Sequence, residues 1–484
     1  MITGAQVRAK VIGEGANLGV TQRGRIEFAR AGGRINTDAI DNSAGVNTSD
    51  VEVNIKIALK SAMAEGCLTR DARNVLLASM TTEVAELVLA NNYEQSLALS
   101  LEERRGPSAL PLQSRFMTVL EEAGLLNREV ETLPTEAGLA DLRASAKGLT
   151  RPEIAVLLAY SKIVLFDQLI ASDLPDDPYL RDRLFAYFPQ PMRAAHAADI
   201  DGHRLAREIV ATILANAAIN RLGPTYVTAV RDATGAAPAE IVAAFVAAHD
   251  GLGADALYAR IDALDGKIHG ETQNALYEAV GQFLQATTRW FVQNADLGKG
   301  LAEAVEGVRG TAAQLQPKLL GLASDRAREI AAERQAKWTE AHVPEDLAAD
   351  VTLLPLLALV PDIANVSRET STPLEETVAS YFGITRLFEI GRLEMALARL
   401  EPTDYYEILA LERAGSQIAG ARRRLTTRAL ADFAGTPDPV AAWADSRQAV
   451  VSRIVTQIAA LAGSGDTSVA RLTVAAGLLS DLQG

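Results

Sequence analysis

Only the stretch up to Ile40 reads as strand-forming, and this confines the chain to few architectures. Residues 7–12 are a short β-branched run ending at Gly13, and residues 34–40 are a second strand-like run behind the Gly32-Gly33 break. Residues 21–30 between them have the length of a short helix, giving one strand, helix, strand unit of the kind that builds parallel sheets. Strands of such sheets are central and apolar on both faces, so a sheet of two would stand unpaired and exposed. The pattern therefore predicts the end of an open α/β domain rather than a whole one.

From Ser49 the period turns helical. Val51, Ile55, Ala58, Leu59 and Met63 share a stripe that Lys56 and Lys60 avoid. Ser49 or Asp50 is the expected cap, with Glu52 in the first turn where the macrodipole favours a carboxylate. A second helix is expected over residues 71–90, then a break at Asn91-Asn92 and a surface linker over residues 102–111 around Gly106-Pro107. Thr150-Arg151-Pro152-Glu153 is a capping-box pattern that opens an apolar, buried segment to Ile170. Pro175-Asp176-Asp177-Pro178 reads as a turn with a capping acid, and Gly223-Pro224 as the end of a helix begun near His203. Long helices are expected over residues 267–293 and 300–337, with more to Leu482 and no fixed-period repeat. Aromatics are 5% of the chain, so Ala, Leu, Val and Ile must fill the core, a palette that favours helices. The expected fold is mostly α: a short α/β remnant followed by a large all-α domain.

The formal charge is −14, which sets the chain against polyanions, and no basic block interleaved with aromatics appears, so nucleic acid is not an expected partner. Cys67, the single cysteine, permits no internal disulfide and joins no Cys/His cluster for zinc, so the metal expectation is none and a reducing cytoplasm fits. Residues 1–10 lack the order of a signal peptide. The most apolar run, residues 351–360, is broken by Pro355 and too short to span a bilayer. His196, His203, His249, His269 and His342 are scattered without metal spacing. Asn216 and Asn220, four apart on an apolar helix, read as a buried polar network, and Trp290, Trp338 and Trp443 as packing anchors.

Two polar loops carry the chemical signal: residues 14–17 after the first strand and residues 41–49 after the second. Ligands of open parallel sheets bind outside the carboxyl ends of the strands, so Asn17, Asn42 and Ser49 would face one crevice. Their neutral donors and acceptors suit a carboxamide, ribose hydroxyls or a carboxylate. The bland alternative is that Asn42 and Ser49 make turn and cap bonds only. The glycines of residues 13–19 also invite a dinucleotide-fingerprint reading, but their spacing is off by one.

Glu14-Gly15-Ala16-Asn17, Asn36-Thr37-Asp38 and the run from Asp41 to Lys56 closely resemble the end of the cofactor domain of the large, NAD-specific bacterial glutamate dehydrogenases. The resemblance continues through Leu149 to Glu153, Leu174 to Tyr179, the His203-Arg204 to Asn220-Arg221 helix and Arg289-Trp290. It implies NAD as cofactor, L-glutamate and 2-oxoglutarate as substrate and product, a homo-oligomer, and the upstream part of the same enzyme as partner. By the resemblance Asn17 lies on the nicotinamide side, Asn42 near the cofactor's ribose, Val46 against the substrate chain, and Ser49 at the distal carboxylate of glutamate; Glu52 has a capping role. Asn47 and Val51 stand where the family pattern has an aspartate and a histidine. The implied organisation is the end of the NAD-binding domain in residues 1–95, a linker with short helices in 96–149, and a helical domain in 150–484. The lysines, the proton-transfer aspartate and the glycine-rich phosphate loop of the family find no match here, so no catalytic residue is assigned and the chain is expected to be inactive alone. The alternative is a non-catalytic helical scaffold for assembly or regulation.

Overall fold

The structure, a computed structural model, describes residues 2–463 and 468–482; Met1, residues 464–467 and residues 483–484 lie outside the described residues. It is mostly α, 78% helical, with two strands among the described residues. The chain divides into two compact units, Met1–Phe245 with Asp296–Ala302, and Val246–Ala295 with Glu303–Gly484.

In the first unit the strand Val11–Ile12 pairs in parallel with Arg34–Ile35, Val11 opposite Arg34 and Ile12 opposite Ile35. The helix Gln22–Arg30 joins them, capped by Thr21, whose hydroxyl accepts from the Gly24 amide. Phe28 on that helix is buried beneath Gly33, where a Cβ would stand 2.3 Å from the ring. The strands are shorter than the sequence suggests. Residues 36–40 leave the sheet because Asp38 and its neighbours turn into the short helix Asp38–Asp41, whose first turn carries two carboxylates where the macrodipole favours them.

The expected loop over residues 41–49 is instead helical. The helix Ser43–Ala64 begins well before the predicted cap at Ser49 or Asp50, and buries the predicted stripe of Val51, Ile55, Ala58 and Leu59. It packs on the helix Thr81–Arg105. The break predicted at Asn91-Asn92 does not occur: the Asn92 amide donates to the Ile40 carbonyl and the Ser43 hydroxyl, each at 2.8 Å, so its polarity ties helices together. The break falls instead at buried Met80, between Arg70–Ser79 and Thr81–Arg105. Nor are residues 102–111 a surface linker. Glu102 is buried, accepting from Arg105 at 3.0 Å and Gln113 at 2.8 Å, and Ala109 and Leu110 are fully buried. With its charge paired, an acidic segment can be covered.

The capping box opens the helix Arg151–Ile170 as expected, with the Thr150 amide donating to Glu153 at 2.8 Å. This helix packs against Ala206–Leu222. Between them and Thr81–Arg105 lies a part-buried polar group that takes in one of the two asparagines expected there, Asn220: Glu94 accepts from Arg221 at 2.8 Å and from Asn220 at 3.4 Å. Asp177 caps the following turn at 2.9 Å to the Tyr179 amide.

The second unit is built of helices throughout. Its longest helix, Tyr405–Asp432, packs against Val469–Asp481, Leu374–Leu387 and Val360–Thr370, over a core that includes Ile418, Leu425, Ile458 and fully buried Trp443. The single helix expected over residues 300–337 is two, Leu301–Leu322 and Asp325–Glu340, because the Ser324 hydroxyl caps a fresh start at 3.2 Å from the Ala327 amide. No single helix among the described residues is long and apolar enough to cross a membrane.

Candidate functional site

The two loops behind the strands are wired together by charge. Glu14 is buried and forms an ion pair with buried Arg25 of the helix Gln22–Arg30, while its other oxygen accepts from the Val20 amide at 2.8 Å. Arg25 reaches Asp38 at 3.0 Å. Asp38 accepts from the Leu18 amide and Asp41 from the Glu14 amide, both at 2.9 Å. The second segment therefore holds the backbone of the first loop with two carboxylates, and one guanidinium pairs with a carboxylate from each side. Asp41 also accepts from the Asn36 amide at 2.7 Å, and Asn36 in turn accepts from Arg151 at 2.8 Å.

The titrations follow this geometry. The Asp38 pKa is lowered, chiefly by the Leu18 amide and further by Arg25, against the opposing effect of burial. Burial works against the charge of Arg25, but Glu14 and Asp38 outweigh it and raise its pKa. Leu18 itself adopts a left-handed backbone, φ 61°, and stands 84% exposed, a conformation that costs a non-glycine residue about 1 kcal/mol. The Asp38 bond helps hold it there.

On this frame two of the four predicted residues, Asn17 and Asn42, meet. The Asn42 side-chain amide donates to the Asn17 carbonyl oxygen at 2.7 Å, linking the two loops through exposed groups. Asn42 sits where a helix cap belongs, yet its side chain makes no capping bond. It turns toward Asn17 and lies so close over Gly45 that a Cβ there would stand 2.7 Å from its oxygen. Val46 follows one turn later and Ser49 nearly one turn after that, so Asn42, Val46 and Ser49 line one face at helical spacing. Val46 is 60% exposed, and Ser49 makes only a long 3.5 Å bond to the Gly45 carbonyl. The capping alternative thus accounts for little of what these side chains do. Glu52 is not at the cap of this earlier-starting helix; it pairs with Lys56 at 3.2 Å.

The residues that position the face had no role assigned from sequence. Glu14, Asp38, Asp41 and Arg151 fell inside the matched motifs, but their pairing with Arg25 and Asn36 joins positions five to over a hundred residues apart. The only local signal was an arginine on an otherwise core-facing helix side.

Comparison with known proteins fits this frame. A sequence model described as bacterial NAD-glutamate dehydrogenase, catalytic domain, matches residues 1–102, and one described as glutamate dehydrogenase, C-terminal, matches residues 146–481. The chain belongs to the glutamate dehydrogenase family. Relatives named NAD-specific glutamate dehydrogenase include those of Halomonas elongata, 36% identical over 90% of this chain, Pseudomonas aeruginosa, 34% over 99%, and Mycobacterium tuberculosis, 33% over 97%. The matched regions are 27%, 30% and 29% of those relatives, so the chain spans less than a third of their length.

The second unit brings together groups that spacing alone separated. His249, one of the scattered histidines, is buried with Nδ1 2.8 Å from Asp250 and Nε2 3.2 Å from Asp255. Burial opposes its charge, but the two carboxylates raise its pKa. With both ring nitrogens directed at carboxylates, the arrangement suits an imidazolium cation better than a metal ligand.

Proposed function

We propose that this chain is the C-terminal portion of an NAD-dependent glutamate dehydrogenase that converts L-glutamate, NAD and water to 2-oxoglutarate, ammonia and NADH. The strand, helix, strand unit and the exposed face behind it are then the last part of the NAD-binding domain, residues 1–95, followed by the linker 96–149 and the helical domain 150–484. The observation that carries the reading is the Asn42–Asn17 bond, which gathers both loops and sets Val46 and Ser49 on the same open face.

The donor set fits the groups it would hold. Asn17 and Asn42 offer neutral amide donors and acceptors, matched to a carboxamide and to ribose hydroxyls and free of charge that would compete with a pyridinium. Bound NAD supplies the hydride acceptor. Asn17 orients the nicotinamide side and Asn42 the ribose, Val46 gives the substrate chain an apolar wall, and the Ser49 hydroxyl donates to the distal carboxylate. The paired charges of Glu14, Arg25 and Asp38 keep the loops at fixed separation, so the face is preorganised rather than assembled on binding.

The lysines and the aspartate that the reaction needs are assigned to the upstream part of the enzyme, which is also the partner that would cover the bare strands. The helical domain is assigned to assembly of a homo-oligomer or to regulation. The test is glutamate-dependent NADH formation by the 484-residue chain alone and after mixing with the separately produced upstream polypeptide. Activity is expected only in the mixture. Turnover by the chain alone, or an inactive mixture in which the two parts demonstrably bind, would overturn the assignment.

A further inference from the structure

The matches to known families break between residues 102 and 146, yet the residues on both sides of that gap, up to Phe245, belong to one compact unit. The joint is the first turn of the helix Arg151–Ile170, where three consecutive residues each grip a different part of the strand, helix, strand unit. The buried Glu153 carboxylate accepts from Arg30, at the end of the helix Gln22–Arg30, at 3.2 Å. The Pro152 carbonyl accepts from Gln22, at the start of the same helix, at 2.9 Å. Arg151 takes the segment directly behind the second strand, donating through Nε to the Asn36 side-chain oxygen at 2.8 Å.

Arg151 fixes a direction as well as a distance. Its side chain is 9% exposed, and its other nitrogens are held by the helix Thr81–Arg105: Nη1 donates to the Ser100 hydroxyl at 2.9 Å and pairs with Glu103 at 3.3 Å, and Nη2 donates to the Ser96 carbonyl at 3.4 Å. Burial lowers its pKa, and Glu103 acts against that. A guanidinium only donates and a carboxylate only accepts. Asn36 stands between one of each, so its amide has a single satisfied orientation, oxygen toward Arg151 and nitrogen toward Asp41 at 2.7 Å. With its other oxygen Asp41 accepts from the Glu14 amide at 2.9 Å, at the root of the loop that carries Asn17. An apolar side chain at 151 would leave the Asn36 amide free to turn, and Asp41 would lose the donor that orients it.

We propose that Arg151 is a positioning residue for the cofactor, so that the first turn of the helical region is a working part of the NAD site and not only an attachment to it; this rests on the reading of Asn17 and Asn42 as the cofactor side. The relay runs from Arg151 through Asn36 and Asp41 to the Glu14 amide, and what it sets is the place of Asn17. Val46 and Ser49 lie on the helix Ser43–Ala64, outside the relay, so affinity for NAD should respond to Arg151 and affinity for glutamate should not.

The first test needs no turnover. In the 484-residue chain, hydrogen exchange read by mass spectrometry over residues 13–20 should speed by about tenfold or more in Arg151→Met and in Asn36→Ala, with the double variant no faster than the faster single one. Asn36→Ala, at a half-buried position, decides the point if Arg151→Met does not fold. Arg30→Gln removes a different grip of the same turn and should leave that segment unchanged, which controls for general loosening. The second test uses the reconstituted enzyme, where Arg151→Met should raise KM for NAD by about fivefold or more, with kcat and the KM for glutamate changed by less than about twofold. Unchanged exchange in the variants, additive effects in the double variant, or equal acceleration by Arg30→Gln would overturn the relay. Faster exchange with an unaltered KM for NAD in an active mixture would overturn the role in cofactor binding. An inactive mixture whose parts bind would instead overturn the reading of the face itself, while the exchange result still decides the relay.

Discussion

The face around Asn42 and the network around Asp362 use the same kinds of side chain to opposite ends. Asp362 is 3% exposed, and its carboxylate is engaged by three donors from within the fold. Asn17, Val46 and Ser49 are exposed, and apart from one amide contact their polar groups make almost no use of the fold. A polar group saturated from inside holds structure, whereas one left open on a rigid frame is available to a ligand. Residue type does not separate the two; burial and hydrogen-bond count do.

The contrast breaks first at Asp362. Asp362→Ala strips partners from Tyr381, Arg423 and Trp290 at once, and should cost about 3–5 kcal/mol in urea unfolding. A loss below about 1 kcal/mol would mean the network is not structural.

Lys162 sharpens the contrast from the opposite side, as an interior charge without a partner. Its ammonium is buried, accepts no pairing, and burial lowers its pKa to about 7 despite Glu94 nearby. Between pH 7 and about 10.5 the unfolded chain holds a proton the folded one lacks, so this site makes stability rise with pH. Lys162→Met should therefore stabilise the chain by a few kcal/mol at or below pH 7, the gain vanishing near pH 10.5. Melting temperatures across that window check it.

His249 should show the reverse slope. Its folded pKa is raised, so the stabilisation from Asp250 and Asp255 is fully present below the unfolded value near 6.5 and is lost as pH rises through the folded value. The stability difference between the parent chain and His249→Asn should be largest at acid pH and shrink as pH rises.

The smallest stability effect belongs to the proposed site. Asn42→Ala removes one exposed amide bond and should change unfolding by less than about 0.5 kcal/mol. In the reconstituted enzyme the same change should raise the KM for NAD at least tenfold, while KM for glutamate responds to Ser49→Ala instead. A large stability loss at Asn42 would place it with Asp362 and erase the distinction.

What the sequence made legible was local. The Thr150–Glu153 box acts where it stands, and the stripe of Val51, Ile55, Ala58 and Leu59 is a period that any burying partner would satisfy. Misreadings arose where a polar residue's partner lay far along the chain. Asn92 looked like a break because Ile40 and Ser43 were out of view, and Glu102 looked exposed because Gln113 was. Of the site, the four residues could be named and placed on one side, but the Glu14–Arg25–Asp38 frame that holds them is a product of tertiary packing.

Gly45 has a consequence for how this face can vary. Because the Asn42 oxygen occupies the space of a methyl group, the two positions are not independent: any side chain at 45 would evict the amide and, with it, the bridge to Asn17. Changes there would have to travel in pairs, a larger residue at 45 being tolerable only beside a shorter one at 42.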